Sequence, residues 1–208
     1  MVMDKIKVLV ADDHAIVRTG LVTLLSRAAD IEVVGEASNG AAAVTKSARL
    51  LPDVVVMDLV MPKKDGVAAT AELHERFPEI KILVLTSFGT SEDIAKALGA
   101  GASGALLKSV PNTEIVTAIR RVAAGKRAVS PEIENMLAND PPVQELSPRQ
   151  RDILESITRG LTNTQIALQL DISPESVKTH IARLFEKLGA ASRSEAVSIA
   201  LRRHLLKI

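Results

Sequence analysis

Along the first 125 residues, strand-like runs alternate with longer helix-like stretches. The strand-like runs fall at 6–11, 32–36, 54–58, 82–86 and 104–107. Between them lie helical stretches near 15–28, 40–50, 65–76, 91–99 and 112–124. Two of the runs, Ile6-Lys7-Val8-Leu9-Val10-Ala11 and Val54-Val55-Val56-Met57, are β-branched and almost continuously apolar. Strands buried on both faces of a parallel sheet have that pattern. Five β-α units of this length predict an α/β, doubly wound five-stranded parallel sheet. Glycine or proline marks many of the joints, among them Gly35, Pro52, Gly66, Pro78 and Gly125.

After residue 145 the signals are helical only, and caps mark four starts. Ser147-Pro148-Arg149-Gln150 has an N-cap serine, a first-turn proline and a glutamine that closes a capping box. Thr162-Asn163-Thr164-Gln165 repeats the box, and Ser173-Pro174 and Ser192-Arg193-Ser194-Glu195 give two more starts. Gly160 and Gly189 fit as stops. The helices are expected near 148–159, 163–170, 174–188 and 193–205, an all-α four-helix unit. Its middle pair, a short helix, a tight turn and a longer helix, is a helix-turn-helix arrangement. On the longer helix Val177, Ile181, Leu184 and Leu188 share one inward face. Lys178, Thr179, Ala182 and Arg183 fall elsewhere and are free to face a groove of DNA. Between the two units, Pro131 and the Pro141-Pro142 pair disfavour a continuous helix, with room for a short one from Glu132 to Ala138. The reading is therefore a first domain over 1–125, a linker over 126–145 and a second domain over 146–208.

Composition narrows the classes. Of 208 residues, 47% are hydrophobic, enough to bury a core, and the absence of cysteine removes disulfide and thiol chemistry. No signal peptide is read at the start, and no window of about 18 uncharged apolar residues offers a membrane span. A cytoplasmic protein is the expectation. The net charge of +1 hides an asymmetry. Residues 146–208 carry ten Lys/Arg against six Asp/Glu, whereas 130–145 carry four acids and no base. A mildly basic unit after an acidic spacer is compatible with nucleic-acid binding.

The chemistry gathers at the ends of the strands. Asp12 and Asp13 follow the first run, Asp58 ends the third, Thr86 ends the fourth and Lys108 follows the fifth. In open α/β sheets, sites form outside the carboxyl ends of the strands. Three close carboxylates repel one another and call for a cation, and hard oxygen ligands at an open rim suit Mg²⁺. Such a set can hold a phosphoryl group on one carboxylate, with the metal and Lys108 neutralising charge and Thr86 bonding an oxygen. Asp58 is the natural nucleophile, since a carboxylate forms an acyl phosphate. His14 reads as a helix-start residue rather than a ligand.

The pattern Asp12-Asp13-His14, Asp58-Leu59-Val60-Met61-Pro62, Asp65-Gly66, Thr86-Ser87 and Lys108 resembles the flavodoxin-like receiver domain of two-component response regulators. Residues 146–206 resemble the LuxR-type helix-turn-helix of the NarL/FixJ subfamily, through Leu146-Ser147-Pro148-Arg149, Gly160-Leu161-Thr162-Asn163, Gln165-Ile166-Ala167, Ser176-Val177-Lys178-Thr179-His180-Ile181 and Lys187-Leu188. Together the resemblances imply a phosphorylation-controlled transcription factor that takes phosphate on Asp58 from a sensor histidine kinase and dimerises on promoter DNA. They imply Mg²⁺ held by Asp12, Asp13, Asp58 and the carbonyl of Val60, with Thr86 and Lys108 sensing the phosphoryl group. They imply base reading by Lys178, Thr179 and Ala182, backbone contacts from Thr164, Ser176, His180 and Arg183, and a dimer surface at Val197, Ala200 and Leu201. A stoichiometric phosphoacceptor is expected rather than a turnover enzyme, since no general base is evident beside Asp58.

Two positions carry further expectations. Many receivers have an aromatic three residues before the lysine, and here that residue is Ala105. Val60 and Phe88, each two residues past Asp58 and Thr86, are apolar and are expected to exclude attacking water.

Overall fold

A computed structural model describes residues 5–87, 90–139, 146–202 and residue 205. The chain divides into two compact units, Met1–Pro141 and Pro142–Ile208.

The first unit begins with β1 (Ile6–Ala11), α1 (Ala15–Leu25), β2 (Ile31–Ala37), α2 (Gly40–Leu50) and β3 (Val54–Met57). It continues with α3 (Gly66–Arg76), β4 (Lys81–Thr86), α4 (Ser91–Gly99), β5 (Gly104–Leu107) and α5 (Asn112–Ala123). The sheet is parallel throughout, with strand order β2-β1-β3-β4-β5 and a sixth strand beyond β5. Alternate residues feed opposite layers, as a pleat requires. Val8 and Val10 join Val54, Val56, Leu83 and Leu85 beneath α1 and α5. Leu9, Ala11, Val55 and Met57 pack on the other face with Ala43 and Val44 of α2 and Ala69 and Leu73 of α3. Every residue of β3 is buried, which accounts for its unbroken apolar run.

The sequence pattern predicts a linker over 126–145 and a sheet of five strands. The structure differs on both points. β6 (Ala128–Val129) pairs parallel with β5, and α6 (Pro131–Asn139) follows it against α4 and β5. A two-residue strand carries too little pattern to be read from sequence. The short helix expected from Glu132 to Ala138 lies within α6.

In the second unit α7 (Pro148–Thr158), α8 (Asn163–Leu170), α9 (Pro174–Leu188) and α10 (Arg193–Arg202) enclose one core. Both expected capping boxes are formed, Ser147 with Gln150 and Thr162 with Gln165. Ser173 caps α9, and Gly189 ends it in the left-handed conformation at φ 66°. The α8–α9 turn is closed by Asp171, also left-handed at φ 52°. Arginines tie the loops down: Arg149 donates to the Leu170 carbonyl at 2.8 Å, and Arg193 donates to that of Leu161. Among the described residues, no helix is long and apolar enough to cross a membrane.

Candidate functional site

The rim of the first unit is built by continuing the strand ladder one residue past each strand. The Asp12 N–H donates to Ala37 O at 3.0 Å, Asp58 N–H to Ala11 O at 2.8 Å, and Lys108 N–H to Thr86 O at 2.8 Å. The backbone of each residue is thereby fixed, and its side chain leaves the carboxyl edge of the sheet. Asp12, Asp58 and Thr86 are buried. Lys108 Nζ bridges the two aspartates, 2.6 Å from Asp12 Oδ2 and 2.8 Å from Asp58 Oδ2. Burial draws the Lys108 pKa down, but hydrogen bonds and charge from Asp12 and Asp58 outweigh it and leave the amine above its ordinary value.

The remaining lone pairs are partly used. Asp58 Oδ1 accepts from Leu59 N–H, and Asp12 Oδ1 accepts from His14 N–H, both at 2.8 Å. Ligand atoms of Asp12, Asp13, His14 and Asp58 all lie within 4.8 Å of one another. Three carboxylates gathered this closely have the donor chemistry for a hard divalent cation. Thr86 Oγ1 is buried and has no hydrogen-bond partner among the described residues. A buried hydroxyl left unpaired costs free energy, and an oxygen-rich group at the rim would satisfy it.

The β3–α3 loop closes over Asp58. Asp65 caps α3 by accepting from Ala68 N–H at 2.7 Å, and Gly66 N–H donates to Leu59 O at 2.9 Å. A Cβ on Gly66 would collide with the Asp58 carbonyl oxygen, so this close approach requires glycine. Val60 is 59% exposed beside the rim. Phe88, its expected partner in excluding water, lies outside the described residues.

His14 stands at a helix start, as the sequence predicts, and also beside the carboxylates. His14 stands at the α1 N-cap but makes no side-chain capping bond. Its Nδ1 lies 2.8 Å from Asp13 Oδ1 and 3.4 Å from Asp12 Oδ1. The only available signal was its adjacency to the aspartate pair.

In the second unit α9 buries Val177, Leu184 and Leu188, with Ile181 half-buried beside them. The opposite face presents Lys178, Thr179, Ala182 and Arg183 to solvent, with Ser176 and His180 half-buried at its margins. Thr164 is exposed at the start of α8. A helix with one locked apolar face and a polar, partly basic free face is suited to a major groove. The expected dimer surface needs a correction. Ala200 is 2% exposed and belongs to the core of the unit, and Val197 packs half-buried against that core. Leu201 alone of the three is well exposed, at 49%.

Comparison with known proteins joins the two sites. Residues 8–120 match the response regulator receiver domain, and residues 144–200 match the bacterial regulatory proteins of the luxR family. The chain belongs to the response regulators that carry a LuxR-type DNA-binding domain. It is 37% identical to the response regulator protein VraR of Staphylococcus aureus over 97% of this chain and 99% of that one. Among solved structures, the response regulator ChrA of a heme-sensing two-component system is 39% identical, covering 97% of this chain and 99% of that one, with a TM-score of 0.59. RcsB of Salmonella enterica serovar Typhimurium, bound to a promoter with phosphomimetic beryllofluoride, is 26% identical over 94% and 98%, with a TM-score of 0.70. Membership makes the chain a DNA-binding transcriptional regulator of a two-component system, and its receiver holds an acidic pocket able to take a metal ion.

Proposed function

We propose that this response regulator takes a phosphoryl group on Asp58 from the phosphohistidine of a sensor kinase, and that the modified protein dimerises on promoter DNA. The observation that carries the reading is Lys108 bridging two buried carboxylates beside a Thr86 hydroxyl with no partner among the described residues. An Asp58 carboxylate oxygen forms the new P–O bond while the P–N bond to the kinase imidazole breaks, and the departing nitrogen keeps the electron pair. Asp12, Asp13 and Asp58, with the Val60 carbonyl, would hold Mg²⁺. When bound, the ion neutralises charge on the transferring phosphoryl oxygens. Lys108 moves from a carboxylate to a phosphoryl oxygen, and Thr86 Oγ1 donates to another.

On DNA, Lys178, Thr179 and Ala182 read base edges, while Thr164, Ser176, His180 and Arg183 fix the register on phosphates. Leu201 contributes to the contact between copies. Phosphorylation shifts an equilibrium between a restrained form and a form competent to dimerise on DNA. The protein acts in the cytoplasm, where kinase and DNA are both within reach.

Sedimentation velocity with duplex selected from a random-sequence pool tests this reading. Protein treated with acetyl phosphate and Mg²⁺ binds as two copies per duplex. Asp58→Ala, treated alike, stays at the affinity of untreated protein. Equal binding by both would contradict phosphorylation control.

A further inference from the structure

Ala105 lies on β5 where many receivers have an aromatic side chain, yet it is 0% exposed. Its cover comes from α4 and from the segment after α5. Leu59, Val84, Ile94, Ala97, Ala105 and Ile133 form one buried cluster, ringed by Met136 and Leu137 of α6. Ile133 itself is 0% exposed. The backbone ties the same segment to β5. Ala128 N–H donates to Ser103 O at 3.2 Å, and Ser130 N–H donates to Ala105 O at 3.1 Å. Ser130 Oγ then accepts from Ile133 N–H at 3.4 Å, which starts α6 over Ala105. A Cβ on Gly104 would collide with the Ala128 carbonyl, so β6 approaches β5 as closely as a bare backbone permits.

The cluster reaches toward the rim. Thr86 pairs in register with Leu107, two residues beyond Ala105. Ile94 lies on α4, the helix that follows Thr86. Val84, two residues before Thr86 on β4, packs in the same cluster as Ile94, so a shift of Thr86 toward a phosphoryl oxygen is passed through β4 to Ile94. Close-packed clusters repack between discrete arrangements rather than stretch.

We propose that α6 stands in for the missing aromatic: Ile133, seated over Ala105 and against Ile94, senses the position of α4, and phosphorylation at Asp58 releases α6 from the receiver. This rests on the reading of Asp58 as phosphoacceptor. Release of α6 adds its nine residues, Pro131–Asn139, to the chain that joins the receiver to the DNA-binding unit. The DNA-binding unit then searches for its partner copy on a longer tether.

Hydrogen exchange on the full chain, with and without Mg²⁺ and beryllofluoride, tests the proposal. Fluorine NMR on the same samples reports whether beryllofluoride is bound at the rim. With it bound, amides of 132–139 exchange about tenfold faster or more, while β1 and β3 keep their protection. Ala105→Phe, which fills the seat of Ile133, exchanges fast at 132–139 without beryllofluoride. Coupling is reciprocal, so Ile133→Ala binds beryllofluoride several-fold more tightly, roughly 3-fold to 10-fold. Bound beryllofluoride with unchanged exchange at 132–139 would overturn the proposal. So would Ala105→Phe that keeps those amides protected. Wild-type protein that never binds beryllofluoride would instead count against Asp58 as the acceptor.

Discussion

Lys108 Nζ lies 2.8 Å from Asp58 Oδ2, although fifty residues separate them in sequence. The same amine is 2.6 Å from Asp12 Oδ2, so one cation holds together two buried carboxylates from β1 and β3. Removing it leaves like charges facing each other in a site shielded from water.

Lys108→Met should therefore destabilise the first unit. Breaking a buried pair by deleting one partner is costly, and discounting for the open rim gives about 2 kcal/mol. For a domain of this size that is a fall of roughly 5–10 °C in Tm. Added Mg²⁺ should recover part of the loss. A Tm in chelator equal to that of the wild type would contradict this.

The pH dependence follows from the raised pKa of Lys108. A lysine whose folded pKa exceeds its unfolded value contributes fully below the unfolded value of about 10.4, and the contribution is lost only as pH rises through the folded one. The Tm difference between wild type and Lys108→Met should thus stay constant from about pH 6 to 9 and shrink above about 10.5. Thermal melts across that range check it.

Gly66→Ala places a Cβ against the Asp58 carbonyl oxygen, backbone that cannot give way cheaply. A loss of about 2 kcal/mol or more is expected in urea unfolding. Gly20→Ala, on α1 with nothing within reach of the added carbon, serves as the control and should be neutral or slightly stabilising.

Val60→Asn replaces an exposed apolar side chain beside Asp58 by one that can hold water. The phosphoryl half-life should shorten several-fold, by roughly 1 kcal/mol of barrier. Following the decay of the phosphorylated mass with time measures it.

Arg183→Ala and Lys178→Ala should differ in kind. Loss of a phosphate contact at Arg183 weakens binding to all sequences and lowers the salt slope by about 1. Loss of a base contact at Lys178 costs about 1–3 kcal/mol at one base pair and relaxes preference there. Binding isotherms on matched and substituted duplexes at several salt concentrations separate them.

Much of this was legible in the chain. Near-continuous apolar runs marked β1 and β3, and the carboxylates stood where those runs stop. The helix caps of the second unit were explicit, because Ser147 and Thr162 bond locally to glutamines three residues on. The rest depended on long-range packing. β6 is two residues long, and its place is fixed by pairing with β5. Ala200 sits at a helical spacing that fits either a core or an interface, and periodicity alone cannot say which surface buries it. Ala105 could be recognised as unusual in sequence, but the helix that covers it is brought there by the fold. His14 joins the carboxylates because the α1 N-cap leaves its side chain uncommitted.

The most direct test is the intact mass after incubation with Mg²⁺ and acetyl phosphate, beside Asp58→Ala. One phosphoryl group should be gained by the wild type and none by the variant. Gain in the variant, or none in folded wild type under conditions where Mg²⁺ binds, would contradict Asp58 as the acceptor.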